Sequence, residues 1–142
     1  LTNRLSEITG GDETVLIVED QPDVLEIASL ALRGKGYRVL EAQAPGEAIS
    51  ICEGHEGRIH LILTDIVLPG MSGLEMSQVL AAKRPEAKLM FMSGYAREAV
   101  AERGVLPPDM EYMAKPFTIH EIQSRVRRVL DEAQTAAAGR GQ

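Results

Sequence analysis

Apolar runs and amphipathic stretches alternate along the whole chain. Thr14-Val15-Leu16-Ile17-Val18 is continuous and rich in β-branched residues, the pattern of a strand buried on both faces. It stops at Glu19-Asp20. Pro22 stands where a first helical residue belongs, with Asp20 or Gln21 before it as cap. Val24, Ile27, Ala28, Ala31 and Leu32 then recur at helical spacing until Gly34 and Gly36 end the helix. Residues 37–42 alternate apolar with polar, as a strand near a sheet edge does. A second helix runs from Ala44 to about His55, with Ala48, Ile51 and Cys52 inward. A third strand, residues 60–64, ends at Asp65, and Gly70 and Gly73 punctuate a loop. Residues 74–83 form a third helix, buried through Leu74, Met76 or Ser77, Val79 and Leu80. A fourth strand, 88–92, ends at Ser93-Gly94, and a short helix follows over 96–103. A fifth strand, 110–114, ends at Lys115-Pro116. Thr118 caps a last helix whose Ile119, Ile122, Val126, Val129 and Leu130 keep the 3.6 period.

Five strands alternating with five helices predict an α/β fold, a doubly wound five-stranded parallel sheet with helices on both faces. The ends read differently. Residues 1–13, polar and containing Gly10-Gly11-Asp12, are a linker; residues 14–132 are the domain; residues 133–142, rich in small side chains, are a flexible tail.

In such a sheet, ligands bind beyond the carboxyl ends of the strands. Those ends carry Glu19, Asp20, Asp65, Ser93 and Lys115. Three carboxylates gathered at one edge resist ionising together unless a cation joins them. Mg²⁺ suits hard oxygen donors. A carboxylate beside it can attack phosphorus and form an acyl phosphate. The metal and Lys115 would neutralise charge on the phosphoryl oxygens, and Ser93 could hydrogen-bond one of them.

Composition narrows the classes. A net charge of -6 gives no excess of basic residues for phosphate neutralisation, so direct nucleic-acid binding is not expected. The single cysteine, Cys52, permits no intrachain disulfide and reads as a small core residue. No apolar run reaches membrane-spanning length and no secretory h-region opens the chain, so a cytoplasmic module without membrane insertion is expected. His55, His60 and His120 are scattered and read as surface or turn residues. Arg125, Arg127 and Arg128 read as a solvated basic spot on the last helix.

Four motifs, in order and each at a strand end, carry a resemblance. They are Val18-Glu19-Asp20, Leu63-Thr64-Asp65 with Pro69 and Gly73, Met92-Ser93-Gly94-Tyr95-Ala96, and Lys115-Pro116-Phe117. Over about residues 14–132 the chain resembles the receiver domain of two-component response regulators. The resemblance implies a flavodoxin-like (βα)5 fold with strand order 2-1-3-4-5. It implies Asp65 as phosphoacceptor, Glu19 and Asp20 as Mg²⁺ ligands with the backbone carbonyl of Val67, Ser93 as switch hydroxyl, and Lys115 as the phosphate-site lysine. Tyr112 matches the aromatic switch, expected to turn inward when Ser93 moves toward a phosphoryl oxygen. A cis peptide before Pro116 is also implied. Gly94 leaves the site without a screening side chain.

The implied donor is a histidine kinase or a histidine phosphotransfer protein. A homodimer through the 96–103 helix, the fifth strand and the last helix is a further implied partner mode. The domain itself is not an enzyme beyond its own phosphorylation and dephosphorylation. Two other classes compete: an aspartate-nucleophile phosphohydrolase, and a non-phosphorylated pseudo-receiver. The first needs an acid/base Asp two residues beyond the nucleophile, where Val67 stands; the second conflicts with intact Glu19, Asp20, Asp65 and Lys115. About ten residues follow the last helix, too few for a DNA-binding output domain. The expectation is either a stand-alone receiver or, favoured by the absent initiator Met, the receiver of a hybrid sensor histidine kinase tethered to a membrane-bound kinase; the Gly10–Thr14 lead-in, Ser93-Gly94-Tyr95-Ala96 and Lys115-Pro116-Phe117 resemble those receivers.

Overall fold

The computed structural model describes residues 8–68, 70–94 and 111–140. Its elements are β1 (Thr14–Val18), α1 (Pro22–Arg33), β2 (Arg38–Ala42), α2 (Pro45–Gly54), β3 (Leu61–Asp65), β4 (Val67–Leu68), β5 (Met71–Ser72), α3 (Gly73–Lys83), β6 (Lys88–Ser93), β7 (Tyr112–Ala114) and α4 (Ile119–Arg140). The main sheet has the order β2-β1-β3-β6-β7, and every pairing is parallel. With the small pair β4–β5 set aside, this is the expected order 2-1-3-4-5. The helix expected over 96–103 lies outside the described residues.

Period-2 alternation divides the core between the faces of the sheet. Val15 and Ile17 of β1, Leu61 and Leu63 of β3, and Met90 and Met92 of β6 face α1 and α4, meeting Leu25, Ala28, Leu32, Ile122, Val126 and Val129. Leu16, Val18 and Ile62 face the other way, onto Ala48, Cys52, Met76 and Leu80. Strands covered on both faces need continuous apolar sequence, which is why β1 and β3 read as unbroken runs. β2 sits at the edge, and its first four residues are exposed or half-buried.

The structure departs from expectation in four places. The loop between Asp65 and the third helix contains an antiparallel pair, β4–β5, with Val67 opposite Ser72 and Leu68 opposite Met71. Strands of two residues are too short to show a period, and Gly70 (φ +85) supplies the turn. On α1 the buried stripe runs through Leu25, Ala28 and Leu32, leaving Ile27 48% exposed. α4 does not stop near residue 132: it continues to Arg140, into the stretch read as a flexible tail, where Ala136-Ala137-Ala138 is strongly helix-favouring. Finally, the described part of the lead-in is docked. Gly11 N–H donates to Lys35 O (3.0 Å), and Gly10 O accepts from Arg127 (3.0 Å). Arg127 is therefore a buried-side anchor rather than a solvated charge.

Candidate functional site

Three parallel strands deliver the acidic cluster to one edge. β1 ends at Val18, opposite Thr64 of β3. Glu19 and Asp20 follow directly, and Asp65 is the last residue of β3, opposite Met92 of β6. Carboxylate oxygens of Glu19, Asp20 and Asp65 all lie within 4.8 Å of one another. Glu19 and Asp65 are buried, whereas Asp20 is exposed to the cavity. That cavity, about 560 Å³, is lined by Asp20, Gln21, Val24, Asp65, Ser93, Gly94, Lys115 and Pro116. An all-oxygen, triply acidic donor set with one exposed member fits a hard divalent cation that keeps waters.

Lys115 reaches the cluster from the loop after β7. Its Nζ donates to Asp65 Oδ2 (2.6 Å) and to Glu19 Oε1 (2.9 Å). Burial opposes the ammonium charge, but the hydrogen bonds to Asp65 and Glu19 outweigh it and hold the lysine above its usual pKa. Burial pushes the Glu19 carboxyl above the usual carboxylate range, and the nearby Asp65 charge adds to this against the opposing bonds from Lys115 and Gln21. The second Glu19 oxygen accepts from Gln21 N–H (3.0 Å). Gln21 is the cap residue of α1 and makes no side-chain cap bond. The same residue thus starts the helix through its carbonyl and fixes the buried carboxylate through its N–H.

Ser93, 1% exposed, ends β6 opposite Ala114 of β7. Its carbonyl accepts from Lys115 N–H (2.7 Å) and from the Tyr112 hydroxyl (3.4 Å). Tyr112 is only 7% exposed and packs with Ile66 and Phe91. Its ring is inward in this structure. The peptide Lys115–Pro116 is cis, as the resemblance implied. At Gly94 a side chain would meet nothing within 4 Å among the described residues. Val67 lies two residues past Asp65, in β4.

Sequence reading missed two contributors. Gln21 acts through its backbone N–H, which no side-chain pattern signals. Arg125 of α4 donates to the carbonyl of Tyr112 and pairs with Glu111, while Arg128 pairs with Glu111 at 3.2 Å. Beside the acidic cavity, Val24, Ile27, Lys115, Pro116 and Phe117 line an apolar recess of about 100 Å³. The exposed Ile27 that contradicted the helix expectation forms part of it.

The family model of the response regulator receiver domain matches residues 15–127. The chain belongs to this family. This receiver domain is 35% identical over 124 residues to the sensor kinase CckA of Brucella abortus, covering 86% of the chain and 13% of that kinase. It is 29% identical to the response regulator receiver protein CpdR of the same organism, over 82% of the chain and 95% of CpdR. It spans about half, 51%, of the transcriptional regulatory protein TcrX of Mycobacterium tuberculosis. Among solved structures, a receiver domain from Methanospirillum hungatei superposes with a TM-score of 0.75 at 27% identity, covering 89% of the chain and 99% of its own. The receiver domain of the hybrid histidine kinase CckA superposes at 0.70 with 32% identity, covering 82% and 98%. The protein is thus a phosphoacceptor receiver of the two-component type, a class that binds Mg²⁺ at an acidic pocket and exchanges phosphoryl groups with histidine kinases or phosphotransfer proteins. Among the described residues, no helix is long and apolar enough to cross a membrane.

Proposed function

We propose that Asp65 is the phosphoacceptor and that Glu19, Asp20, Asp65 and the Val67 carbonyl hold Mg²⁺. The observation that carries this reading is Lys115 Nζ, bonded at 2.6 Å to Asp65 within a cluster of three carboxylates. An Asp65 carboxylate oxygen attacks the phosphorus of a phosphohistidine donor. The new bond is P–O; the P–N bond breaks, and its electron pair leaves with the imidazole. Bound among the carboxylates, the cation supplies positive charge against the phosphoryl oxygens. Lys115 stays within reach of the same oxygens, and the Ser93 hydroxyl donates to one of them. Gly94 contributes no side chain to the wall of the acidic cavity.

The switch follows from the carbonyl of Ser93. Because it accepts from both Tyr112 and Lys115, a shift of Ser93 toward a phosphoryl oxygen pulls on both partners. Tyr112, bonded to that carbonyl, is the aromatic group that responds. The apolar recess around Ile27, Pro116 and Phe117 supplies contact area for the donor beside the reacting oxygen. The likeness to CckA supports a histidine kinase or a histidine phosphotransfer protein as that donor.

Acetyl phosphate with Mg²⁺ tests the reading. One phosphoryl mass should add to the wild-type chain, be lost on chelation of Mg²⁺, and be absent in Asp65→Asn. An adduct of equal yield in Asp65→Asn would move the acceptor elsewhere, and continuous turnover of phosphomonoesters would favour a hydrolase.

A further inference from the structure

The four residues before β1 are tied to the last helix more heavily than a linker requires. Arg127, on α4, has a side chain only 13% exposed. Its guanidinium donates to both carboxylate oxygens of Glu13 (2.7 and 3.1 Å), to Gly10 O (3.0 Å) and to the Tyr37 hydroxyl (3.3 Å). Asp131, one turn along α4, pairs with it at 2.9 Å and fixes its direction. The cation also lies 5.9 Å from the centre of the Tyr37 ring. The hydrogen bond from Arg127 holds the Glu13 carboxyl below its usual range. Two backbone bonds complete the seat: Gly11 N–H to Lys35 O and Arg38 N–H to Glu13 O, both 3.0 Å.

The glycines show that this fit is built in. A Cβ on Gly10 would stand 2.0 Å from Lys35 O, and one on Gly11 would stand 2.0 Å from Glu13 Oε1 and 2.4 Å from Arg127 Nη1. At Gly10 the obstacle is the Lys35 backbone, so the entering chain lies this close only without a side chain there; at Gly11 a side chain would displace the Glu13–Arg127 pair itself.

Arg125 and Arg128 of α4 reach the start of β7, the strand that leads to Lys115. Arg125 donates to Tyr112 O, and Arg125 and Arg128 pair with Glu111, next to Tyr112. Lys115, bonded to Asp65, directly follows that strand. An unbroken set of bonded groups therefore runs from Asp65 through Lys115 and β7 to α4, and from α4 through Arg127 to Gly10–Glu13.

We propose that Gly10–Glu13 is a strap, held by Arg127, through which occupancy of Asp65 is felt by the chain that enters the domain. The inference rests on Asp65 being the phosphoacceptor. It assigns regulation to the entry side of the domain, in addition to the surface beside the site.

Amide hydrogen exchange of Gly11 and Arg38 in this chain, with and without acetyl phosphate and Mg²⁺, reads the strap, while mass spectrometry reads the adduct. Coupling of ordinary size changes Gly11 exchange about 3- to 30-fold on phosphorylation. Arg127→Met should expose Gly11 in both states and erase the response while leaving the adduct yield unchanged. If that variant unfolds, Glu13→Gln removes the ion pair with less loss of packing. Full adduct with unchanged Gly11 exchange in wild type would overturn the coupling, as would a wild-type response in Arg127→Met. No adduct on the wild-type chain would overturn the Asp65 reading and the coupling with it. The strap would then still stand or fall on Gly11 protection in wild type and its loss in Arg127→Met.

Discussion

At the scale of single residues, the site is a problem of charge. Glu19 is fully buried, Asp65 is nearly so, and both share one ammonium, Lys115. Removing one partner of a buried ion set leaves uncompensated charge, which costs roughly 3–5 kcal/mol in well-buried cases. Lys115→Met should therefore lower unfolding stability by about 3 kcal/mol in the presence of chelator. Mg²⁺ should restore much of that loss, because it takes over the neutralising role. Urea unfolding with and without Mg²⁺ measures both, and equal stability of the two proteins in chelator would refute the assignment. The candidate residues were legible one by one because each follows an apolar strand. Their mutual distances were not legible. Nor was the service of the Gln21 backbone, since a peptide N–H looks the same at every position.

At the scale of elements, caps and covering faces decide the boundaries. Thr118 and Glu121 form a reciprocal box: Glu121 N–H donates to Thr118 Oγ1 and Thr118 N–H to Glu121 Oε1, each at 3.0 Å. Thr118→Ala should cost about 1 kcal/mol, read as a shift in urea midpoint with unchanged slope. A loss below a few tenths would mean that tertiary packing alone starts α4. The cap was visible in the sequence, since Thr, Glu and spacing are all local. The end of α4 was not. Its apolar stripe finishes at Leu130, and the remaining turns to Arg140 rest on alanine propensity, which a search for periodicity passes over. The error at Ile27 has another cause. Helical spacing selects a stripe but not its rotation, and Leu25 competes with Ile27 for the inward side.

At the scale of the whole molecule, pH reports how the N-terminal edge is fastened. His60 N–H donates to Thr14 O (2.9 Å), and His60 Nδ1 in return accepts from Thr14 N–H (3.1 Å). The ring must be unprotonated at Nδ1 to do so. Burial, helped by the Arg58 charge, lowers its pKa against the pull of Glu13, Asp12 and Glu86. The neutral ring is favoured in the folded state, so this stability is present above the unfolded value of 6.5 and is lost as pH falls from there through the folded pKa. Glu13, also lowered, adds a second loss as pH falls below 4.5 through its own folded value. Unfolding free energy should decline from pH 7 to 5, and His60→Asn, which keeps an acceptor near Nδ1, should flatten that decline. A parallel curve for His60→Asn would assign the loss to other groups.

The sequence by itself determined the alternation of strands and helices, the two-sided burial of β1 and β3, and the polar residues at each strand end. These follow from local composition and from periods of two and 3.6, which neighbours along the chain express without reference to the rest. Only the tertiary structure decided which strand ends meet. It alone set the Lys115 bridge between Glu19 and Asp65, the inward seat of Tyr112 and the clasp of Arg127 on Gly10–Glu13. Those contacts join residues from 19 to 117 positions apart. Their geometry is fixed by strand order and by the packing of α4 on α1, and no local pattern in the chain encodes it.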